Sequence, residues 1–358
     1  MVTTLLIRLF ILAFWTCAIF GTLLSPDISL FKTSGKSINI FTWGDILEPS
    51  IIAAFERETG IKVHLNYYTS NEELLVKMKA TGGKGYDLII PSDYGVQLLI
   101  EEDLLKPLDK SKLNFWERIN PLLCNHYYDP KNIYSIPFEW EIYGLGLDKE
   151  FFAGKPITPS WKMVFDKKQI NYEIVMADDP IMASLMAGLY LYNQAESYTD
   201  CEFEKVKELL ITQKSWVKAY SDFRADYYLF MRSSPVILAL SSYIWRAMNQ
   251  YPFIDFQIPV EGSFISIENL AIPKASGKEP LVYELINYLY QPHSIKAHWD
   301  TYSFFPAAIQ TADDLLLDPK AAALINCTPE EFAKFHFTKF PISKEKMRAI
   351  WIDVKAAD

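Results

Sequence analysis

Cysteine is scarce in this 358-residue chain, with only Cys17, Cys124, Cys201 and Cys327. The last three are far apart and odd in number, which excludes a disulfide framework and a zinc site and leaves room for one bridge at most. Histidine is nearly as sparse: His64, His126, His293, His298 and His336 form no ligand cluster and read as structural or surface residues, so no metal site is expected. No run of Lys and Arg occurs, and the net charge is −9 from 35 basic and 44 acidic residues. That balance argues against nucleic acid and leaves room for a cationic ligand. Catalytic motifs are missing too: Gly82, Gly83 and Gly85 lack the Lys-Ser/Thr ending of a phosphate loop, and GLGLDK has no third glycine. The acidic pair Asp178 and Asp179 would suit glycoside hydrolysis only with a second carboxylate fixed by a motif, and none is. The sequence therefore predicts no enzyme, no catalytic residue and no cofactor. Internal repeats, low-complexity tracts and flexible linkers are also absent, which favours discontinuous domains joined by extended crossovers.

What is present is apolar and aromatic. Half of the residues are hydrophobic and 15% aromatic, and at about 100–200 residues per domain the length suggests two domains. At the N-terminus Arg8 precedes the apolar run Leu9 to Leu24, and the polar stretch Ser25 to Ser37 follows. This segment reads as an export signal or an uncleaved membrane anchor, slightly short of the ~20 residues that span a bilayer comfortably. Cys17 invites a lipoprotein reading, although bulky Phe14, Trp15 and Thr16 stand where small residues are wanted. The folded part is expected to begin near Ser37, beyond the membrane.

The organising stretch is Ile38 to Val63. Alternation up to Thr42 predicts a strand, Ile51, Ile52 and Phe55 a helix, and Ile61 with Val63 a second strand, which makes a βαβ unit. Asp45 and Pro49 mark the helix start and Gly60 its end. Trp43 then lies at the carboxyl end of the first strand, the ligand-facing edge of an open α/β sheet, unless it merely plugs the core. A helix over Asn71 to Thr81 and a strand over Asp87 to Pro91 place Ser92, Asp93 and Tyr94 at the same edge, one strand along; one of Ser92 and Asp93 serves as a helix cap. The extended segment Phe138 to Leu147 reads as a crossover between lobes. Beyond it the pattern restarts: a strand over Glu173 to Met176, then Asp178 and Asp179 before a helix opened by Pro180. The run Pro235 to Leu240 leads to Ser241, Ser242 and Tyr243, and the extended stretch ending near Pro273 returns the chain. Carboxylates, hydroxyls and aromatics on strand-end loops without Arg or Lys suit an aliphatic amine, since a carboxylate pairs with an ammonium and an aromatic face covers methylenes and attracts the cation.

Several stretches, FTWGDILEP, FERETGIKV, YYTSNEELLVKMKA, YDLIIPSDYGV, DKSKL, YSIPFEW, and ENLAIPK followed by INYLYQP, together resemble the spermidine/putrescine-binding proteins of bacterial ABC importers. The resemblance covers Ile38 to Pro306. It implies an α/β fold of two lobes, each a mixed sheet flanked by helices, with hinge strands near Glu139 to Gly146 and Ser266 to Ile272. The implied division is residues 1–36 as signal or anchor, 37–141 with 269–313 as lobe 1, and 142–268 with 314–358 as lobe 2. The partners implied are a polyamine and the permease subunits of the importer, for a monomeric periplasmic receptor. Its ligand residues fall on Trp43, Ser92, Tyr94, Asp179 and Glu268, with Asp45, Asp93 and Ser241 on the same loops. Two family tryptophans fall on Ser241 and Ser266 and a glutamate on Met182; Tyr243, Trp245 or Tyr220 would have to supply an aromatic instead. A receptor for another small solute (an amino acid, a thiamine-like cation or a metal chelate) would keep the lobes and change the pocket. A membrane-anchored scaffold would keep only the fold.

Overall fold

The computed structural model describes residues 36–153, 155, 157–194, 198–221, 224–308, 319–339 and 343–357, together with Trp15. The rest of the apolar N-terminal run, read as signal or anchor, lies outside the described residues. The chain divides into two units, Met1–Lys36 and Ser37–Asp358, and the sheet and its helices belong to the second.

The first half of this second unit opens with β1 (Ser37–Trp43), α1 (Pro49–Thr59) and β2 (Lys62–Tyr68), and the two strands pair in parallel from Ser37 with Lys62 to Trp43 with Tyr68. This is the βαβ unit expected from the periodicity. Ile51, Ile52 and Phe55 bury one face of α1, and Gly60 ends the helix in the left-handed region at φ 71°. The start differs from the expectation. Glu48, directly before Pro49, accepts hydrogen bonds from the backbone N–H of Ser50 and Ile51 at 2.7 and 3.1 Å, whereas Asp45 sits in the preceding turn at φ 55°. Then come α2 (Asn71–Thr81), capped by Ser70, β3 (Leu88–Ile89), parallel to β1, and α3 (Asp93–Glu101).

The hinge is carried by β4 (Ser135–Asp148) and later by β9 (Ser263–Ala271). From Ser135 to Ile142, β4 pairs antiparallel with β9; from Tyr143 onward it pairs with β7 (Val236–Leu240) and, from Leu145, with β8 (Ile254–Gln257). One strand therefore leaves one sheet region and enters another, as the extended segment around Phe138 to Leu147 suggests. Gly144 allows this close crossing, because a Cβ there would lie 2.3 Å from the Phe256 ring. The second half adds β5 (Ile174–Met176) and β6 (Val217–Tyr220), and the path runs β2-β1-β3-β9-β4-β7-β5-β6. Short β10 (Phe305–Pro306) joins β4, and β11 (Phe335–Phe337) joins β9. Helices α4 (Pro180–Tyr192), α5 (Asp200–Gln213), α6 (Ser241–Met248), α7 (Glu279–Leu289), α8 (Pro292–Tyr302) and α9 (Lys344–Ala356) flank the sheet. One apolar cluster, with Trp140, Trp245 and Phe305 at its centre, spans the hinge, and another is confined to the second half around Trp161, Leu185 and Val354. The result is a two-lobed α/β protein with continuous strands through its waist. Cys124, Cys201 and Cys327 are free.

Candidate functional site

The carboxyl ends of β1, β2 and β3 from one side, and of β5 and β7 from the other, open onto one cavity of about 530 Å³. Convergence of strand ends is what an open α/β sheet offers a ligand. The wall includes Trp43, Ser92, Asp93, Tyr94, Asp179 and Glu268, so six of the eight candidate residues meet here. Asp45 and Ser241 are not among the lining residues. Asp45 is exposed on its turn, and the fully buried Ser241 hydroxyl accepts the backbone N–H of Ile142 at 3.1 Å, which commits it to the hinge.

The deepest wall is acidic. Glu268, on β9, accepts the Trp43 indole N–H at 2.8 Å and the Ser266 hydroxyl at 3.1 Å. Burial, reinforced by the charges of Glu141 and Asp93, pushes its carboxyl up to about 8. Glu141, on β4, accepts from the Ser242 hydroxyl at 2.6 Å, and burial raises it to about 7. Asp93 accepts the Tyr94 backbone N–H at 2.8 Å through one oxygen while the other has no partner, and burial raises it to about 7 as well. Asp179 caps α4, one oxygen accepting from the backbone N–H of Ile181 and Met182 at 2.7 and 3.2 Å, and burial raises its carboxyl too. Behind the wall Glu139 stands opposite Glu268 in the β4–β9 register and is also held up by burial. Four carboxyl groups on the wall, Asp93, Glu141, Asp179 and Glu268, are thus held toward the neutral form by burial, which Arg246 opposes at Glu141 and Arg348 at Asp179. A bound ammonium would reverse that balance.

The capping expectations resolve individually. Ser92 occupies the N-cap position of α3 without a side-chain cap bond; its hydroxyl accepts instead from the Asn71 side-chain amide at 2.6 Å. Of the acidic pair, Asp179 is the cap and Asp178 is not free. Asp178 meets the Lys355 ammonium at 2.7 Å and the Trp351 indole N–H at 3.1 Å, both on α9.

The aromatic supply is also specific. Trp43 packs on Tyr68 with ring centroids 4.5 Å apart. Of the three substitutes considered for the missing tryptophans, Tyr243 lines the cavity, Trp245 is buried against Phe256 and Phe305, and Tyr220 packs on Trp351. Tyr143 and Phe304 add further apolar wall. Sequence reasoning missed Glu72, Glu141 and Arg348. The signal for Glu141 was present: glutamates at alternate positions in SIPFEWEIYG share one face of a strand that is otherwise apolar. For Arg348 no signal existed, since it reaches the cavity from the C-terminal helix.

The family of bacterial extracellular solute-binding proteins matches residues 50–324. The chain belongs to this family. The solute-binding protein is 25% identical over 321 residues to the putrescine-binding periplasmic protein PotF of Escherichia coli, covering 83% of this chain and 84% of that one. It is 29% identical over 275 residues to the spermidine/putrescine-binding periplasmic protein of the same organism, covering 75% and 77%. Among solved structures, the spermidine/putrescine ABC transporter substrate-binding protein PotD of Streptococcus pneumoniae superposes with a TM-score of 0.75 at 23% identity, covering 89% of this chain and 97% of that one. This last likeness shows the fold. The family assignment makes the chain an extracytoplasmic substrate-binding protein and not an enzyme. Among the described residues no helix is long and apolar enough to cross a membrane.

Proposed function

We propose that this solute-binding protein is the receptor of an ABC importer for a polyamine, putrescine or spermidine, which it binds in the cleft and delivers to the membrane permease as a monomer. The observation that carries the reading is the cluster of Asp93, Glu141, Asp179 and Glu268, all raised by burial around one cavity. Trp43 adjoins it and would cover methylenes while favouring the charge. The relatives that bind putrescine or spermidine by name support the same reading. The ligand set proposed is Trp43, Ser92, Asp93, Tyr94, Asp179 and Glu268, now with Glu141 and Tyr243. The change of β4 partners at Ile142 and Tyr143 supports a lobe boundary near residue 141, with 37–141 and 269–313 on one side.

Polyamine at 100 times its dissociation constant should stabilise the protein by about 2.7 kcal/mol. The same addition should contract the solution scattering envelope as the lobes close. A melting temperature and scattering curve indifferent to both polyamines would remove the reading. Residues 1–36 are proposed to direct export and to remain as an inner-membrane tether or be cleaved. Fractionation should recover the protein in the periplasm or on the outer face of that membrane, and a cytosolic protein with an intact N-terminus would contradict this.

A further inference from the structure

The cavity wall is not uniformly acidic. Against the carboxylates of Glu72, Asp93, Glu141, Asp178, Asp179 and Glu268, Arg348 is the single basic side chain among the described lining residues. Arg348 belongs to α9, near the C-terminus, and its guanidinium lies 3.7 Å from Glu72 in the first turn of α2. The contact thus bridges the cleft. Glu72 also accepts the Tyr94 hydroxyl at 3.3 Å, and Arg348 acts on Asp179 electrostatically, opposing the rise in its pKa.

Arg348 is held in place by the helix that bears it. Met347, Ile350 and Val354 bury one face of α9 in the second apolar cluster. Lys355 pairs with Asp178 at 2.7 Å and lies 3.8 Å above the Tyr220 ring, while Lys207 on α5 meets Asp353 at 2.5 Å. A helix anchored along both sides presents its guanidinium to the cavity at a fixed place.

The acids therefore fall into two groups. At the hinge, Glu268, Glu141 and Asp93 are buried, with exposures of 7%, 7% and 2%; no lysine or arginine lines the wall beside them, and only Glu141 feels an arginine, Arg246, from behind it. Toward solvent, where the Arg348 and Glu72 side chains are 55% and 34% exposed, the chain supplies its own cation. We infer that Arg348 is a built-in cation occupying the place where a longer polyamine would put its far ammonium, so that the cleft selects a short diamine over a triamine. The far ammonium of a triamine brought to that end would share Glu72 and Asp179 with a guanidinium of like charge, which is a repulsive element of specificity. A short diamine avoids it by keeping both ammonium groups among the hinge acids.

This inference rests on the polyamine reading, and the experiment separates the two. Putrescine and spermidine are titrated calorimetrically into the wild type and into Arg348→Gln, Arg348→Met and Arg348→Lys, each checked for folding by thermal melt. Wild type should prefer putrescine. Both uncharged variants should shift the affinity ratio toward spermidine by about tenfold or more, because juxtaposed like charges at an interface are costly, and Arg348→Lys should keep the wild-type preference. An unchanged ratio in both uncharged variants would overturn the inference. So would equal weakening of both amines, which would make Arg348 a clasp for Glu72 and nothing more. Should wild type bind neither amine, the polyamine reading itself fails and takes this inference with it.

Discussion

Replacing Glu268 by Gln is expected to weaken polyamine binding by roughly 2–5 kcal/mol, the cost of leaving one member of a buried charge pair without its partner. The carboxylate stands at the centre of the hinge cluster, and the Trp43 indole and Ser266 hydroxyl hold its two oxygens. Gln keeps the length and one acceptor, so the fold is retained and the loss reports charge. Two of the neighbouring variants should cost less. In Asp179→Asn the amide oxygen can keep the helix cap, since Asn caps as well as Asp, and Arg348 already acts on that carboxyl, so the loss is smaller. In Trp43→Ala the apolar and cation-π contacts go, for about 1–3 kcal/mol, and Glu268 also loses a donor. Calorimetry on the three variants tests the order. Wild-type affinity in Glu268→Gln would show that the hinge carboxylates do not hold the ligand.

Binding should also release protons, with a pH dependence whose sign follows from the raised carboxyl groups. In the empty cleft Glu268 titrates at about 8 and Glu141 and Asp93 at about 7, so near pH 6 these three are mostly neutral. An ammonium favours their ionised forms, so its binding expels protons there. Affinity should therefore climb between pH 6 and 8, by up to about tenfold per pH unit for each proton released, and level off above 8. Stability of the empty protein runs the other way. The folded pKa of each group lies above its unfolded value, so the folded state holds more protons between the ordinary carboxyl range and about 8. Its contribution is full below the ordinary carboxyl range and is lost progressively as the pH rises from there, by about 1.36 kcal/mol per unit of pH per group, the loss being complete by about 7 for Glu141 and Asp93 and about 8 for Glu268. Titrations in buffers of different ionisation heat measure the released protons directly. A pH-independent affinity with no proton release would mean that the ligand is not paired with these acids.

Local periodicity was enough to read much of this architecture. The βαβ opening, the helix over Asn71 to Thr81, the helix after Pro180 and the long crossover strand are all written in apolar spacing and breaking residues, and the structure places them within a few residues of those readings. Trp43 and Asp93 were legible because they lie at or just beyond the carboxyl end of a strand, which fixes the edge on which they emerge. Ser241 directly follows β7, yet its hydroxyl turns inward to the hinge backbone. Side-chain direction at a strand end depends on the twist of the sheet and on which neighbour lacks a partner, and neither is a local property. Glu72 and Arg348 are 276 positions apart in the chain, and only tertiary packing of α2 and α9 across the cleft brings them together. The hinge glutamates are an intermediate case. A charged residue in an apolar strand is anomalous on sight, but that Glu139, Glu141 and Glu268 lie together follows only from the antiparallel register of β4 and β9.

The most direct measurement is a calorimetric titration of the ligand-free protein with putrescine at pH 7, repeated in two buffers of different ionisation heat. The account predicts saturable one-to-one binding accompanied by proton release, both strongly reduced in Glu268→Gln. Absence of saturable binding in the folded wild type, or binding of equal strength and unchanged proton count in the variant, would contradict it.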